Sequence, residues 1–158
     1  MKITVWILVY KKILMPHDGS EVADKAFEHA LAIAKAFDAK LILLTVITEN
    51  ILPAVGISTA SPELVKGMMS ELIAFAKKEA HDKLERKVAK GTKEDVSVFH
   101  IVTMGNAAET IIDTAKKENV DLIVMGSRGL TGMKKIIALG SVTRNVSEHV
   151  RCPVLIVH

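Results

Sequence analysis

Short apolar runs alternate with longer stretches of helical period along the chain, and this alternation constrains the fold more than any other feature. Strands are predicted at residues 12–16, 40–47, 95–103, 120–125 and 153–157. Segments with apolar residues three and four positions apart predict helices at 20–37, 62–90, 107–118 and 141–150. Regular alternation of strands and helices indicates an α/β domain whose parallel sheet is covered by helices on both faces.

The longest helix is predicted to begin at Pro62, because proline is tolerated in a first helical turn, and to end at Gly91. Its buried stripe is predicted at Leu64, Met68, Leu72, Phe75, Leu84 and Val88. Its solvated face is predicted at Lys77, Lys78, Glu79, Asp82 and Lys83. The preceding loop, 48–61, is longer than a tight turn and is expected to be a mobile flap.

Composition restricts the partners that this chain is expected to have. Its 158 residues suit one domain, 1–158, with a net charge of only +3. Aromatic residues make up 4%, too few for a base-stacking platform, so we expect no nucleic-acid partner. The apolar segment 1–10 is shorter than a membrane span and is interpreted as an extra leader or a strand extension. A single cysteine, Cys152, favours a reducing, cytoplasmic setting. Because the apolar segment is too short to span a bilayer, we expect no membrane partner.

Two segments are expected to meet at one end of the sheet. In doubly wound sheets, ligands bind beyond the carboxyl ends of the strands, at the point where the strand order reverses. The turn 16–20 follows the first strand, and the glycine-rich segment 126–140 follows the fourth. Their convergence at that point is a stronger indication of a binding site than either segment alone.

The glycine-rich segment has the composition of a phosphate-binding loop. Gly126 and Gly129 are separated by two residues, and Gly140 and Ser141 lead into a helix. Glycines allow close backbone approach, a helix N-terminus attracts anions, and the Ser141 hydroxyl and Arg128 add donors. The alternative is a structural loop whose glycines only satisfy turns and packing, and spacing alone favours neither interpretation. Neither GxGxxG nor GxxxxGK[ST] occurs.

The other polar candidates have structural alternatives as well. Asp18 could bind ribose hydroxyls or a metal held by phosphates, or it could act with Ser20 as a local cap. His17 could titrate near neutrality, but no carboxylate cluster lies close to it in sequence. The remaining histidines share no ligand spacing, so no metal site is predicted: His29, His81, His100, His149 and His158. Because no nucleophile and base occur together, we predict no catalytic residue.

Two stretches resemble the universal stress protein family. They are KKILMPHDGSEVADKAFEHALAIA, from Lys11, and VDLIVMGSRGLTGMKKIIALGSVTRNVSEHVRCPVLIV, from Val120; the likeness extends from about Lys11 to His158. The resemblance implies a Rossmann-like fold similar to the adenine nucleotide alpha hydrolases, with five parallel strands in order 3-2-1-4-5. It also implies a homodimer. In the ATP-binding branch nine residues separate the second glycine of the motif from the third, whereas ten separate Gly129 from Gly140 here. One residue is therefore extra, within 133–139.

The resemblance implies a cofactor, ATP or else ADP or AMP, with Mg²⁺. Pro16, Asp18 and Val46 would flank adenine and ribose. The remaining cofactor-binding positions would follow the ribose and phosphates: Met125, Gly126, Arg128, Gly129, Gly140, Ser141 and Val142. The homodimer would form through the last strand, where an apolar sheet edge needs a partner: Val154, Leu155, Ile156 and Val157.

Three hypotheses about function follow. The first is an ATP-binding regulatory or stress-response dimer with slow or no hydrolysis. The second is a nucleotide-independent dimeric interaction module of the same fold, in which the glycine-rich segment is structural. The third is an adenylating enzyme of a related fold, which the absence of an SGGxDS-like loop after the first strand disfavours.

Overall fold

The computed structural model describes residues 10–48, 61–130 and 139–158, which form a parallel sheet between two helical layers. The elements in chain order are β1 (Lys12–Pro16), α1 (Glu21–Phe37), β2 (Lys40–Ile47), α2 (Pro62–Lys93), β3 (Val98–Met104), α3 (Ala107–Glu118), β4 (Leu122–Gly126), α4 (Ser141–His149) and β5 (Val154–Val157). The strand order is β3-β2-β1-β4-β5, and every pairing is parallel. The predicted fold class and strand order are therefore confirmed.

The strands separate two cores. Ile13 and Met15 of β1 face a cluster that includes Phe27 of α1 and Leu84 of α2. Leu14, between them, faces the opposite cluster with residues of α3 and α4. All three β1 side chains are fully buried. A strand covered on both faces has no polar alternation, which is why these segments are continuous apolar runs in the sequence.

The helix ends follow local capping chemistry. Ser20 caps α1 by accepting a hydrogen bond from the Ala23 amide at 3.1 Å. Asn106 caps α3 in the same way, accepting from the Glu109 amide at 3.2 Å. Asp38 ends α1 in the left-handed region, with φ 53°, where its amide bonds the Ala34 carbonyl. The Ser20 and Asn106 caps lie in the β1–α1 and β3–α3 turns, which the parallel strands place at the same end of the sheet.

Helix α2 continues past the residue that was predicted to end it. It reaches Lys93, and Gly91 lies within its last turn. A Cβ at Gly91 would lie 2.2 Å from Cγ2 of Val98, so this glycine allows α2 to approach β3 closely. The prediction that Gly91 ends the helix was wrong because a packing requirement, rather than a cap, explains the glycine. Strand β3 begins at Val98, later than predicted, after a turn in which Asp95 has φ 60°.

Of the six residues predicted for the buried stripe of α2, two pack against the core and Leu72 is half-buried. Leu84 is fully buried and Val88 packs against the first core. Leu64, Met68 and Phe75 are instead 57%, 63% and 63% exposed. A helix of 32 residues is about 48 Å long, whereas a strand of seven residues spans about 23 Å. The first half of α2 therefore extends beyond the strands on which the second half packs.

Three predictions concern residues outside the described ranges. They are the leader at 1–10 (apart from Tyr10), the flap at 48–61 (apart from its ends) and the position of the extra loop residue. Tyr10 packs edge-on against Phe37, with ring centroids 5.1 Å apart. Within the described ranges, no helix combines the length and apolar character needed to cross a bilayer.

Candidate functional site

A cavity of about 770 Å³ lies where β1, β2 and β4 end. Its volume is typical of sites for small molecules, and it lies where the strand order reverses between β1 and β4. The lining includes all ten residues predicted for the site: Pro16, Asp18, Val46, Met125, Gly126, Arg128, Gly129, Gly140, Ser141 and Val142. The two segments expected to converge therefore do so, and both line one cavity.

Asp18 joins the β1–α1 turn to the glycine-rich segment. Its Oδ1 accepts a hydrogen bond from the Ser20 amide at 3.0 Å, as expected for a local turn. Its Oδ2 accepts another from the Leu130 amide, in the glycine-rich segment, at 2.9 Å. A Cβ at Gly129 would lie 2.5 Å from that same oxygen. Glycine is thus required at 129 so that the carboxylate of Asp18 can reach across.

Both ends of the glycine-rich segment are anchored. The Gly140 amide donates to the Ser127 carbonyl at 2.8 Å, which closes the loop at its base. The buried Thr143 hydroxyl donates to the Gly126 carbonyl at 2.9 Å and attaches α4 to the end of β4. The Ser127 amide in turn donates to Val157 of β5. The extra residue between Gly129 and Gly140 therefore leaves both anchors in place.

The N-terminus of α4 opens onto the cavity. Gly140 is its N-cap and supplies no side-chain hydrogen bond. The first amides of a helix, here those of Ser141 and Val142, have no carbonyl partner within the helix. Together with the helix dipole they favour an anion at this end. Arg128 lines the same side of the cavity, so the chemistry here suits a negatively charged group.

Helix α2 supplies a wall that the sequence patterns did not predict. Its residues Ala76, Glu79, Ala80 and Lys83 line the cavity. Lys83 Nζ would lie 3.8 Å from a Cβ built at Gly19, so the ammonium sits beside the β1–α1 turn. Helical periodicity places Glu79 and Lys83 on a solvated face, and that face borders the cavity. No sequence signal distinguishes an open solvated face from one that borders a cleft.

His17 supports the turn that carries Asp18. The ring is 5% exposed; its Nδ1 accepts from the Gly19 amide at 3.1 Å, and its Nε2 donates to Asp24 at 3.0 Å. Because Nδ1 is an acceptor, the imidazole is neutral here. Burial lowers the pKa of His17 below 6.5 despite the neighbouring carboxylate. This carboxylate belongs to Asp24, in α1, seven residues further on, and the sequence did not predict its contact with His17.

Asp24 connects this turn to α2. The same oxygen that faces His17 accepts a hydrogen bond from Lys87 Nζ at 2.6 Å. Burial works in the opposite direction, but hydrogen bonds from Lys87 and His17 hold the pKa of Asp24 below its usual value. Lys87 also lies 4.7 Å from the ring centroid of Phe27. This chain of contacts fixes α2 against α1 behind the cavity.

Comparison with known proteins identifies the family of this fold and site. The model of the universal stress protein family matches residues 9–158. The chain belongs to the universal stress protein family. It is 40% identical to universal stress protein MJ0531 of Methanocaldococcus jannaschii, over 94% of this chain and 82% of that protein.

Solved structures of universal stress proteins share the architecture. MJ0577 of Methanocaldococcus jannaschii superposes with a TM-score of 0.80 at 36% identity, over 94% of this chain and 96% of that one. A universal stress protein solved in complex with cAMP has a TM-score of 0.65 at 24% identity, over 95% of this chain and 98% of that one. At the latter identity the likeness concerns the fold alone.

Proposed function

We propose that this universal stress protein binds an adenine nucleotide in the cavity, and that occupancy changes the shape or partners of a cytoplasmic homodimer. ATP with Mg²⁺ is the first candidate ligand, and ADP and AMP are the alternatives. The observation that carries the proposal is the convergence of Asp18, the glycine-rich segment and the N-terminus of α4 on one cavity. The solved complex of a structural relative with cAMP shows that a member of this fold holds an adenine mononucleotide.

The phosphate end of the ligand belongs at the glycine-rich segment. Gly126, Gly129 and Gly140 present backbone without side chains, and the first amides of α4 lie beside them. Backbone amides and a helix N-terminus bind phosphate whether the ligand carries one, two or three phosphate groups. ADP and AMP are therefore candidates as well. Arg128 and Lys83 add positive charge to the lining of the cavity.

The base and ribose belong at the opposite end. Pro16 and Met125 line the cavity beside Val46, which is half-buried near the end of β2. These residues offer an apolar surface, so backbone groups would supply polar contacts to the base. Asp18 already accepts two amide hydrogen bonds, but a carboxylate has about four lone-pair sites. It therefore retains capacity for a ribose hydroxyl.

Mg²⁺ is expected to enter with the phosphates. In the described ranges no group of three or more His, Cys, Asp or Glu side chains could hold a metal ion. Phosphate oxygens and water, with Asp18 or Glu79 as the nearest protein carboxylates, are the ligands that Mg²⁺ prefers. Such an arrangement binds the metal nucleotide without positioning a water for attack, so we expect slow or no hydrolysis.

Calorimetric titration tests the proposal. Purified protein, shown to be folded and free of nucleotide, is titrated with ATP in the presence of Mg²⁺. We expect one nucleotide per chain at submillimolar concentration. Absence of heat up to that concentration would overturn the nucleotide proposal.

A nucleotide-independent interaction module remains the second candidate. The observation in its favour is that the Leu130 amide donates to Asp18 and the Gly140 amide donates to the Ser127 carbonyl, so the glycines also have a structural purpose. A folded dimer that shows no heat with ATP, ADP or AMP would support this second function.

A further inference from the structure

Two histidines that are far apart in sequence form a pair at the surface, and neither lines the cavity. His81 Nδ1 and His100 Nε2 are 3.0 Å apart. The ring centroids are 5.2 Å apart and the ring planes are inclined at 74°. His81 is exposed and His100 is half-buried, so solvent and ions reach the pair. Their sequence separation of 19 residues matches no ligand pattern, which is why the sequence did not predict this pair.

The pair lies on the seam between α2 and β3. Ala80 and Leu84 of α2 are buried on either side of His81, and Leu84 belongs to the first core. His100 lies between Val98 and Val102 on the same face of β3, and these two valines pack on that same core. Both rings are therefore attached to well-packed backbone, and their separation is set by the packing of a helix on a sheet.

Each facing nitrogen is an atom that ligates metals in proteins. In the hydrogen bond one nitrogen carries a proton that the other accepts, and a metal ion can replace this proton. For a metal about 2.0–2.1 Å from each nitrogen, the centroid separation requires an N–metal–N angle of roughly 110°. That is the angle at a tetrahedral ion. To reach it, the two rings must turn about their χ1 and χ2 torsions.

We propose that His81 and His100 form a binding site for a divalent late transition-metal ion, of which Zn²⁺ best fits the tetrahedral angle. The ion is bound by Nδ1 of His81 and Nε2 of His100. In the part of the chain that the structure describes, no third His, Cys, Asp or Glu side chain joins the pair, so water completes the coordination. Imidazole nitrogen selects such ions over Mg²⁺, which prefers oxygen. This site is therefore distinct from a Mg²⁺ ion carried by a nucleotide.

Metal binding at this pair connects α2 to the edge strand β3. A ligand that binds only the folded state stabilises it by mass action, because the two histidines are not held together in the unfolded chain. Glu79 and Lys83 of the cavity wall lie two residues to either side of His81 in α2. The metal would thus stiffen the helix that borders the cavity, whether or not the cavity binds a nucleotide.

Titration of metal-free protein with Zn²⁺ tests this site. The Cys152→Ser background removes the single thiol as a competing ligand. We expect one Zn²⁺ per chain by calorimetry and a rise in the thermal unfolding midpoint. His81→Ala and His100→Ala should each weaken binding at least about tenfold. His29→Ala, which removes an exposed histidine on α1, is the matched control and should bind Zn²⁺ like its parent.

Two further results make the outcome decisive. The ring nitrogens of His81 and His100, and of no other histidine, should shift in NMR spectra when Zn²⁺ is added. Mg²⁺ at the same concentration should shift neither. Zn²⁺ binding of equal affinity in the His81→Ala and His100→Ala variants, or no binding by their parent, would overturn the proposal. Neither result depends on whether the cavity binds a nucleotide.

Discussion

Gly129 shows, at the scale of a single residue, how a missing side chain shapes this site. A Cβ there would lie 2.5 Å from Oδ2 of Asp18. We predict that Gly129→Ala displaces the carboxylate, costs about 1–3 kcal/mol of the free energy of unfolding as overpacking does, and weakens ATP binding about tenfold or more. Chemical denaturation and calorimetry measure the two effects.

Gly67→Ala is the matched control for that substitution. Gly67 lies within α2 and is exposed, and among the described residues nothing lies within 4 Å of a Cβ built on it. Alanine is the better helix former, so this variant should gain about 0.5–1 kcal/mol and bind ATP like the wild type. Equal behaviour of the two alanine variants would refute a special requirement for glycine at 129.

The lowered pKa of His17 predicts that the free energy of unfolding depends on pH. Its folded-state pKa is lowered by burial, so between 6.5 and that lower value the unfolded chain binds more protons than the folded chain. Stability is therefore fully present above pH 6.5 and is lost as pH falls through this window, with a slope approaching about 1.4 kcal/mol per pH unit. Protonation also removes the acceptor for the Gly19 amide.

Denaturation at a series of pH values checks the contribution of His17. His17→Gln, which cannot titrate, should lack the decline between pH 6.5 and the lowered pKa, whatever its absolute stability. His29→Gln, an exposed position on α1, should keep the decline of the wild type. A decline that persists unchanged in His17→Gln would assign it to another group.

At the scale of elements, α2 marks where sequence reasoning succeeds and where it ends. The periodicity of its apolar residues and the proline predicted that it begins at Pro62, and the structure confirms this. The same periodicity predicted Leu64 and Phe75 in the core. Both are exposed, because α2 extends beyond the ends of the strands on which it packs. Periodicity identifies a face of a helix, and the neighbour that covers the face is a tertiary property. For that reason Lys83, on the polar face, was not predicted to border the cavity.

Lys83 gives the prediction that belongs to α2. Its ammonium lies beside the β1–α1 turn, where it would attract phosphate oxygens. Lys83→Met should weaken ATP binding about fivefold and leave adenosine binding unchanged, because adenosine carries no phosphate. Lys77→Met, an exposed lysine of the same helix that does not line the cavity, is the control and should retain wild-type affinity for both. Equal losses for ATP and adenosine would exclude a phosphate contact.

At the scale of the whole molecule, sequence predicted the parts of the site that topology brings together. Asp18 and Gly129 follow different strands, and the carboxyl ends of parallel strands meet at one edge of the sheet, so their approach was expected. The order of the strands came from the family resemblance rather than from the residues themselves. The His17–Asp24 and His81–His100 contacts were missed, since each depends on how a helix packs, which no local pattern records.

The edge strand β5 carries the prediction of a dimer. Among the described strands, β5 pairs with β4 alone, and Leu155 in its middle is 37% exposed. Val157 is buried in the first core, so of the four residues predicted to pair across the interface it would contribute mainly backbone. An apolar edge with unpaired backbone groups is normally covered, and a second copy of β5 can cover it.

Leu155→Lys should therefore convert a dimer into a monomer, because a charge in a desolvated strand interface has no partner there. Size-exclusion chromatography with light scattering measures the mass. Phe99→Lys, on the opposite edge strand β3 at 53% exposure, is the matched control and should remain dimeric. Loss of the dimer in Phe99→Lys alone would place the interface at β3, and persistence of the dimer in Leu155→Lys would exclude β5. Because the cavity lies at the strand ends rather than at either edge, the monomer should still bind nucleotide.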